Sequence, residues 1–203
     1  MKIMEAVNKY TGSPYIIPDV SRHELPEFFK EMGYKVGAEI GVYKGEFTED
    51  FCKAGLKMYA IDPWHSYSGA GRGATDQDRQ EFLYSHTHRV LDKYDDCTII
   101  RKTSMDAVHY FKDRSLDFVY IDGDHNFKHI AEDIYEWTWK VKIGGVVSGH
   151  DYFSTNPKAR NVICQVGPVV DAYIKIFKID NWYIFGEDGA QNDKALSWMF
   201  IRK

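Results

Sequence analysis

Four short stretches of this chain carry residue types at spacings that could do chemistry. The first is Glu39-x-Gly41-x-x-x-Gly45. Glycines there let the backbone approach a ligand without a Cβ clash. A helix starting at Glu46 would turn its free N–H groups toward a carboxylate or phosphate. The second is Asp62, an acid at the end of the apolar run Met58–Ile61; an acid there can accept hydrogen bonds from both hydroxyls of a ribose. The third is Asp122-Gly123-Asp124-His125 and the fourth Gly149-His150-Asp151, each directly after an apolar run. Carboxylates so placed are costly to bury unless they are paired, hydrogen-bonded or metal-bound. A histidine titrates near neutral pH and can take a proton there.

These residues need a scaffold that brings their stretches to one edge. Apolar runs predict strands at 36–42, 57–62, 98–101, 116–121, 146–148, 182–185 and 196–201. Leu116–Ile121 is nearly all apolar, as a central parallel strand should be. Helices are expected over 21–33, 46–55, 77–93, briefly around 107–111, over 127–141, and over part of 157–177, with Gly33, Gly55 and Gly144-Gly145 as stops. Five strands alternating with helices and a closing strand pair predict an α/β sheet of seven strands, mostly parallel, helices on both faces and the last strand antiparallel. Ligands bind such sheets at the carboxyl ends of the strands, where Glu39, Asp62, Thr103-Ser104, Asp122 and Asp151 fall.

No internal repeat or linker interrupts the chain, so 21–203 reads as one domain preceded by an arm, residues 1–20, that Pro14 and Pro18 keep non-helical over its second half. Residues 65–76 form a loop with three glycines, either a lid over a substrate or a connector. The 203 residues suffice for one full core, and a net charge of −4 gives no general affinity for nucleic acid or anionic membrane. No apolar run approaches the ~20 residues of a membrane helix. Three well-separated cysteines, Cys52, Cys97 and Cys164, read as reduced thiols of a cytoplasmic protein.

The glycine pattern is not the dinucleotide fingerprint G-x-G-x-x-G. It resembles the first motif of class I S-adenosylmethionine-dependent methyltransferases. E-I-G-V-Y-K-G, Y-A-I-D, K-T-S-M-D, F-V-Y-I-D-G-D-H and G-G-V-V-S-G-H-D-Y resemble, in order and spacing over about residues 21–153, the catechol O-methyltransferase group and the metal-dependent O-methyltransferases of antibiotic sugars. The resemblance implies a Rossmann-like fold with S-adenosylmethionine as cofactor and a small hydroxylated acceptor, sugar or phenol-like. Glu39, Gly41, Tyr43 and Gly45 would then surround its methionine part, Asp62 its ribose, and Ser104 with Met105 its adenine. Asp122 and Asp151 match acidic ligands of a divalent cation such as Mg²⁺, and Asp122 and His125 would be catalytic, His125 as general base. His150 departs from the group, where many members carry an acid.

Two other classes stay open. One is a cofactor-binding protein of the same fold without methyl transfer, against which the retained Asp122, His125 and Asp151 argue. The other is a metal-dependent hydrolase or hydroxylase-like enzyme built on that cluster, against which Glu39 and Asp62 argue. The i, i+4 pair His125/His129 could bind zinc but lacks the glutamate of H-E-x-x-H. A homo-oligomer is compatible with the sequence.

Overall fold

The computed structural model of the chain describes residues 3–10, 12–66, 76–152, 164–186 and 195–203. The elements in order are α1 (Ile3–Lys9), β1 (Tyr15–Ile16), α2 (Leu25–Glu31), β2 (Val36–Ile40), α3 (Glu46–Lys53), β3 (Lys57–Asp62), α4 (Gln77–Leu91), β4 (Cys97–Arg101), α5 (Ser104–Ala107), β5 (Leu116–Ile121), α6 (Phe127–Lys140), β6 (Val141–Gly149), α7 (Val166–Ile176), β7 (Trp182–Phe185) and β8 (Ser197–Ile201). The strands form one sheet in the order β1-β7-β8-β6-β5-β2-β3-β4. The β2, β3, β4, β5 and β6 pairings are parallel, and β8 runs antiparallel to both β6 and β7.

All six residues of β5 are buried, because both faces of the sheet are covered. Its side chains alternate between two cores. Phe118 and Tyr120 join Phe29, Phe47 and Phe51 under α2 and α3. Val119 and Ile121 join Ile130, Ile134 and Trp137 under α6. This period of two is what a central strand imposes on successive Cβ atoms.

The sheet has eight strands rather than seven. The extra strand is β1, whose Tyr15 and Ile16 pair with Tyr183 and Ile184 of β7. A strand of two residues is too short to show alternation, and only the open edge of β7 makes Tyr15-Ile16 one. The segment is anchored around it: Ile3, Ala6, Ile17 and Val20 are all buried. A second difference lies at Gly144-Gly145. These glycines do not stop α6, which ends at Lys140, but lie inside β6. Leu116 pairs with Val141 and Phe118 with Val146, so β6 advances five residues against two on β5. The surplus is a bulge, and a Cβ at Gly145 would come 2.3 Å from the Asp117 carbonyl oxygen. Most of the glycine loop, residues 67–75, lies outside the described residues, so the choice between lid and connector falls there.

β2 has β3 on one side and β5 on the other, so the chain reverses direction across the sheet at the β2/β5 boundary. That is the position where such sheets open a crevice beyond their strand ends. Among the described residues, no helix is long and apolar enough to cross a membrane.

Candidate active site

The tips of β2 and β5 touch at this boundary. The Asp122 amide donates to the Ile40 carbonyl (2.7 Å) and the Gly41 amide to the Ile61 carbonyl (2.8 Å), extending the ladder past the strand ends. Gly41 has φ +89°, and a Cβ there would lie 2.1 Å from the carbonyl oxygen of Asp122. Glycine is therefore required twice, by conformation and by the neighbouring backbone. Gly45 also has a positive φ, +81°, but its neighbours differ: a Cβ would press on Thr87 and Leu91 of α4 at 3.1–3.2 Å. Its smallness serves the seating of α3 on α4.

Asp62 is clasped before any ligand arrives. Its carboxylate accepts from the amides of Trp64 (2.7 Å) and Tyr43 (3.2 Å). Burial pushes its pKa upward, against the hydrogen bonds from Trp64, Tyr43 and Val42. Tyr43 takes part through its main chain. Its ring is exposed, and its hydroxyl accepts from Arg79 (3.2 Å).

Glu39 is 2% exposed. It lies opposite Tyr120 in the β2/β5 register, on the face covered by α3, and accepts a short hydrogen bond from Thr48 of that helix. Burial pushes its pKa up to about 8, opposed by Thr48 and reinforced by the charge of Asp122. At neutral pH its carboxyl is therefore mainly protonated.

Ser104 opens α5 beyond the tip of β4. Its hydroxyl donates a short bond to Asp133 of α6 and accepts from the Trp137 indole (2.7 Å). Burial lifts the Asp133 carboxyl to about 6. Met105 packs partly buried against the α6-side core.

Asp122, His125 and Asp151 come together at the mouth. Their ligand atoms lie within 4.8 Å of one another. His125 Nε2 is 3.1 Å from Asp151 and 3.7 Å from Asp122. Burial works against the charged imidazole, but the neighbouring carboxylates of Asp122 and Asp151, with Asp124, outweigh it and raise the pKa. Despite burial, His150 above all, with His125 and Arg22, holds Asp151 below the usual carboxylate range. His150 Nδ1 stands 3.5 Å from Asp151 and 3.8 Å from Asp122. Two carboxylates and an imidazole are a donor set that fits a divalent ion, and the nitrogen favours a transition metal over Mg²⁺.

His129 is apart from this cluster. Its Nδ1 pairs with Asp124 (3.0 Å), and Asp124 also accepts from the Asn126 amide (3.0 Å). Asn126 caps α6, accepting from the His129 amide, so Asp124 orders the turn rather than capping the helix. The His125/His129 zinc pair has no support in this geometry.

Three residues of the site lie in no motif of the sequence: Arg22, Thr48 and Asp133. Tyr120 lies inside the F-V-Y-I-D-G-D-H run on β5, two residues before Asp122, which follows the strand directly. The other three come from elements that only packing brings there. Arg22 Nη1 donates to Asp122 Oδ2 at 3.2 Å.

A mostly parallel sheet with a glycine turn and a clasped acid on adjacent strand tips defines the class I methyltransferase type of α/β protein. A family model described as a methyltransferase domain matches residues 38–152, and the chain belongs to that family. It is 24% identical over 119 residues to the uncharacterized protein y4gI of Sinorhizobium fredii, a match spanning 56% of this chain but only 12% of that protein. Its fold is similar to the O-methyltransferase of Bacillus cereus solved with SAH (TM-score 0.64, 11% identity, 90% of this chain and 82% of that one). It is equally similar to TomG of Streptomyces achromogenes, an O-methyltransferase of tomaymycin synthesis solved with SAM (0.64, 11%, 91% and 82%). An rRNA methylase of Streptococcus thermophilus shares the fold too (0.60, 15%, 90% and 98%).

Proposed function

We propose that the protein is an S-adenosylmethionine-dependent O-methyltransferase acting on a small hydroxylated molecule, sugar or phenol-like. The observation that carries this is the adjacency, at one strand-switch crevice, of the clasped Asp62 and the Asp122–His125–Asp151 cluster. Bound there, the cofactor supplies an electrophilic methyl on a sulfonium, whose C–S bond breaks as the acceptor oxygen bonds to carbon. Asp62 holds the ribose, and the β2 turn and Glu39 face the methionine end. His125 takes the acceptor's proton at Nε2, and Asp151 and Asp122 stabilise the imidazolium so formed. Asp122 and Asp151 would hold a divalent cation, which would polarise the acceptor hydroxyl. Because His125 lies in the same triangle, EDTA separates the two roles: transfer that survives EDTA belongs to the histidine alone.

Calorimetry with S-adenosylhomocysteine tests the cofactor half. Asp62→Ala should weaken binding by ~1.5–3 kcal/mol, the loss expected for hydrogen bonds to a charged group. No binding by the unaltered protein, or full binding by the variant, would sink the reading. A panel of sugars, catechols and phenols with labelled cofactor tests the acceptor class.

Glu39 adds a signature in protons. With its pKa at about 8 in the free protein, it carries a proton at pH 7. The cofactor's ammonium group beside it favours the charged form and lowers that pKa. Binding should therefore release a proton below pH 8, and the release should fade as pH rises past that value, where Glu39 is already ionised. Calorimetry at pH 7 in buffers of different ionisation enthalpy measures it. Glu39→Gln should abolish the release; its persistence in that variant would place the proton elsewhere.

A further inference from the structure

Arg22 lies outside the residues that match the methyltransferase family, yet it reaches the centre of the site. It comes from the short 3₁₀ turn Arg22–Glu24 that precedes α2. Several contacts fix that turn. The Ser21 amide donates to the Glu24 carboxylate at 3.4 Å. His23 pairs with Asp50 of α3 at 2.8 Å and meets the Phe47 ring edge-on at 5.7 Å. Immediately after it Leu25, Phe28 and Phe29 are buried. The Arg22 guanidinium itself lies over the Phe47 ring, 5.0 Å from its centroid. The guanidinium is thus held between the Phe47 ring of α3 and the Asp122 carboxylate just past β5.

The head meets a concentration of acids. It makes an ion pair with Asp122, and its charge also favours the ionised forms of Glu39 and Asp151. It lies beside the Tyr120 hydroxyl, one residue pair back along the same strand face. The two oxygens of Asp122 are divided: Oδ2 faces Arg22 and, more distantly, His150, while Oδ1 faces His125. An arginine cannot lose its charge in a protein, so this occupancy does not titrate away.

We propose that Arg22 is a built-in cation of the acid cluster, a positioning residue that orients Asp122 and competes with a divalent ion for its carboxylate. An ion held by Asp122 Oδ1, Asp151 and His125 would share the Asp122 carboxylate with the guanidinium on Oδ2, and like charges at such short range repel strongly. The site is thereby set toward weak, exchangeable metal binding, with Arg22 keeping Asp122 in place when no ion is present. The inference rests on the acid–histidine cluster being the working site, but not on the identity of the reaction.

Mn²⁺ titration of the full chain, followed by calorimetry and by the electron paramagnetic resonance of free Mn²⁺, is the test. Arg22→Met keeps an unbranched apolar side chain at this position and removes the charge. It should bind Mn²⁺ at least about tenfold more tightly than the unaltered protein. Arg22→Gln is a second variant in case the first folds poorly, and Arg22→Lys should stay close to the unaltered protein. Adding Asp122→Asn to Arg22→Met should cancel the gain. Equal or weaker Mn²⁺ binding after charge removal overturns the proposal, as does undetectable binding by every protein in the series. S-adenosylhomocysteine calorimetry on the same samples keeps the two readings apart. No cofactor binding by the unaltered protein with a preserved Mn²⁺ gain refutes the transferase but not Arg22, and the converse refutes Arg22 alone.

Discussion

Replacing His125 by alanine is expected to lower methyl-transfer turnover by ~10²–10⁴, the range over which a positioned general base acts. Cofactor affinity should stay within about twofold, because the residues proposed to hold the cofactor sit on β2, β3 and the segment after β4. The contrast between kcat and cofactor binding is the diagnostic, since a variant that only loosened the fold would lower both. The pH profile carries a second signature. The base works in its neutral form, and the acid pair raises its pKa above the ordinary imidazole value. Activity should therefore climb with pH through a limb above ~6.5, the unperturbed value. Asp151→Asn removes one of the two acids and should move that limb down. A limb that stays in place would show that Asp151 does not govern His125. Turnover undiminished in His125→Ala would remove the base assignment and leave positioning by the acid pair.

Gly41→Ala should damage stability and function together. A residue with a Cβ in the left-handed region costs ~1–2 kcal/mol by itself. Here the added carbon would also lie 2.1 Å from the Asp122 carbonyl oxygen, a clash with backbone that no rotamer relieves. The combined loss should be on the order of 3 kcal/mol or more, in the range reserved for named steric faults. Gly33→Ala is the matched control. Gly33 has φ +76°, but a Cβ added to it would meet nothing within 4 Å, so only the conformational part should appear, ~1 kcal/mol. Urea midpoints of the two variants measure the difference. Since relief of the clash requires the β2 and β5 tips to part, surviving Gly41→Ala protein should also bind cofactor poorly. Equal midpoints for the two variants would show that the tips do not touch.

The sequence alone determined the class of sheet, the strands that carry the site, and the acids and histidine at their ends. Apolar runs of strand length alternating with helical periods leave few arrangements open, and residues directly after a parallel strand must fall at its carboxyl edge. That is why Asp62, Asp122, His125 and Asp151 stand out from local pattern. What it could not determine came from pairings without a local signal. Tyr15-Ile16 is a strand only because β7 offers an edge. Gly144-Gly145 looks like a helix stop and lies in a strand bulge, where Gly145 sits against the Asp117 backbone, 28 residues earlier. Ser104 falls at a strand tip by pattern, but its partners Asp133 and Trp137 come from α6. Arg22, 100 residues from Asp122, enters the site through the packing of its turn on Phe47. Local pattern fixes which face and which end of an element a residue occupies. Which partner it meets there depends on long-range packing, where burial leaves a charge or hydroxyl stable only beside its complement.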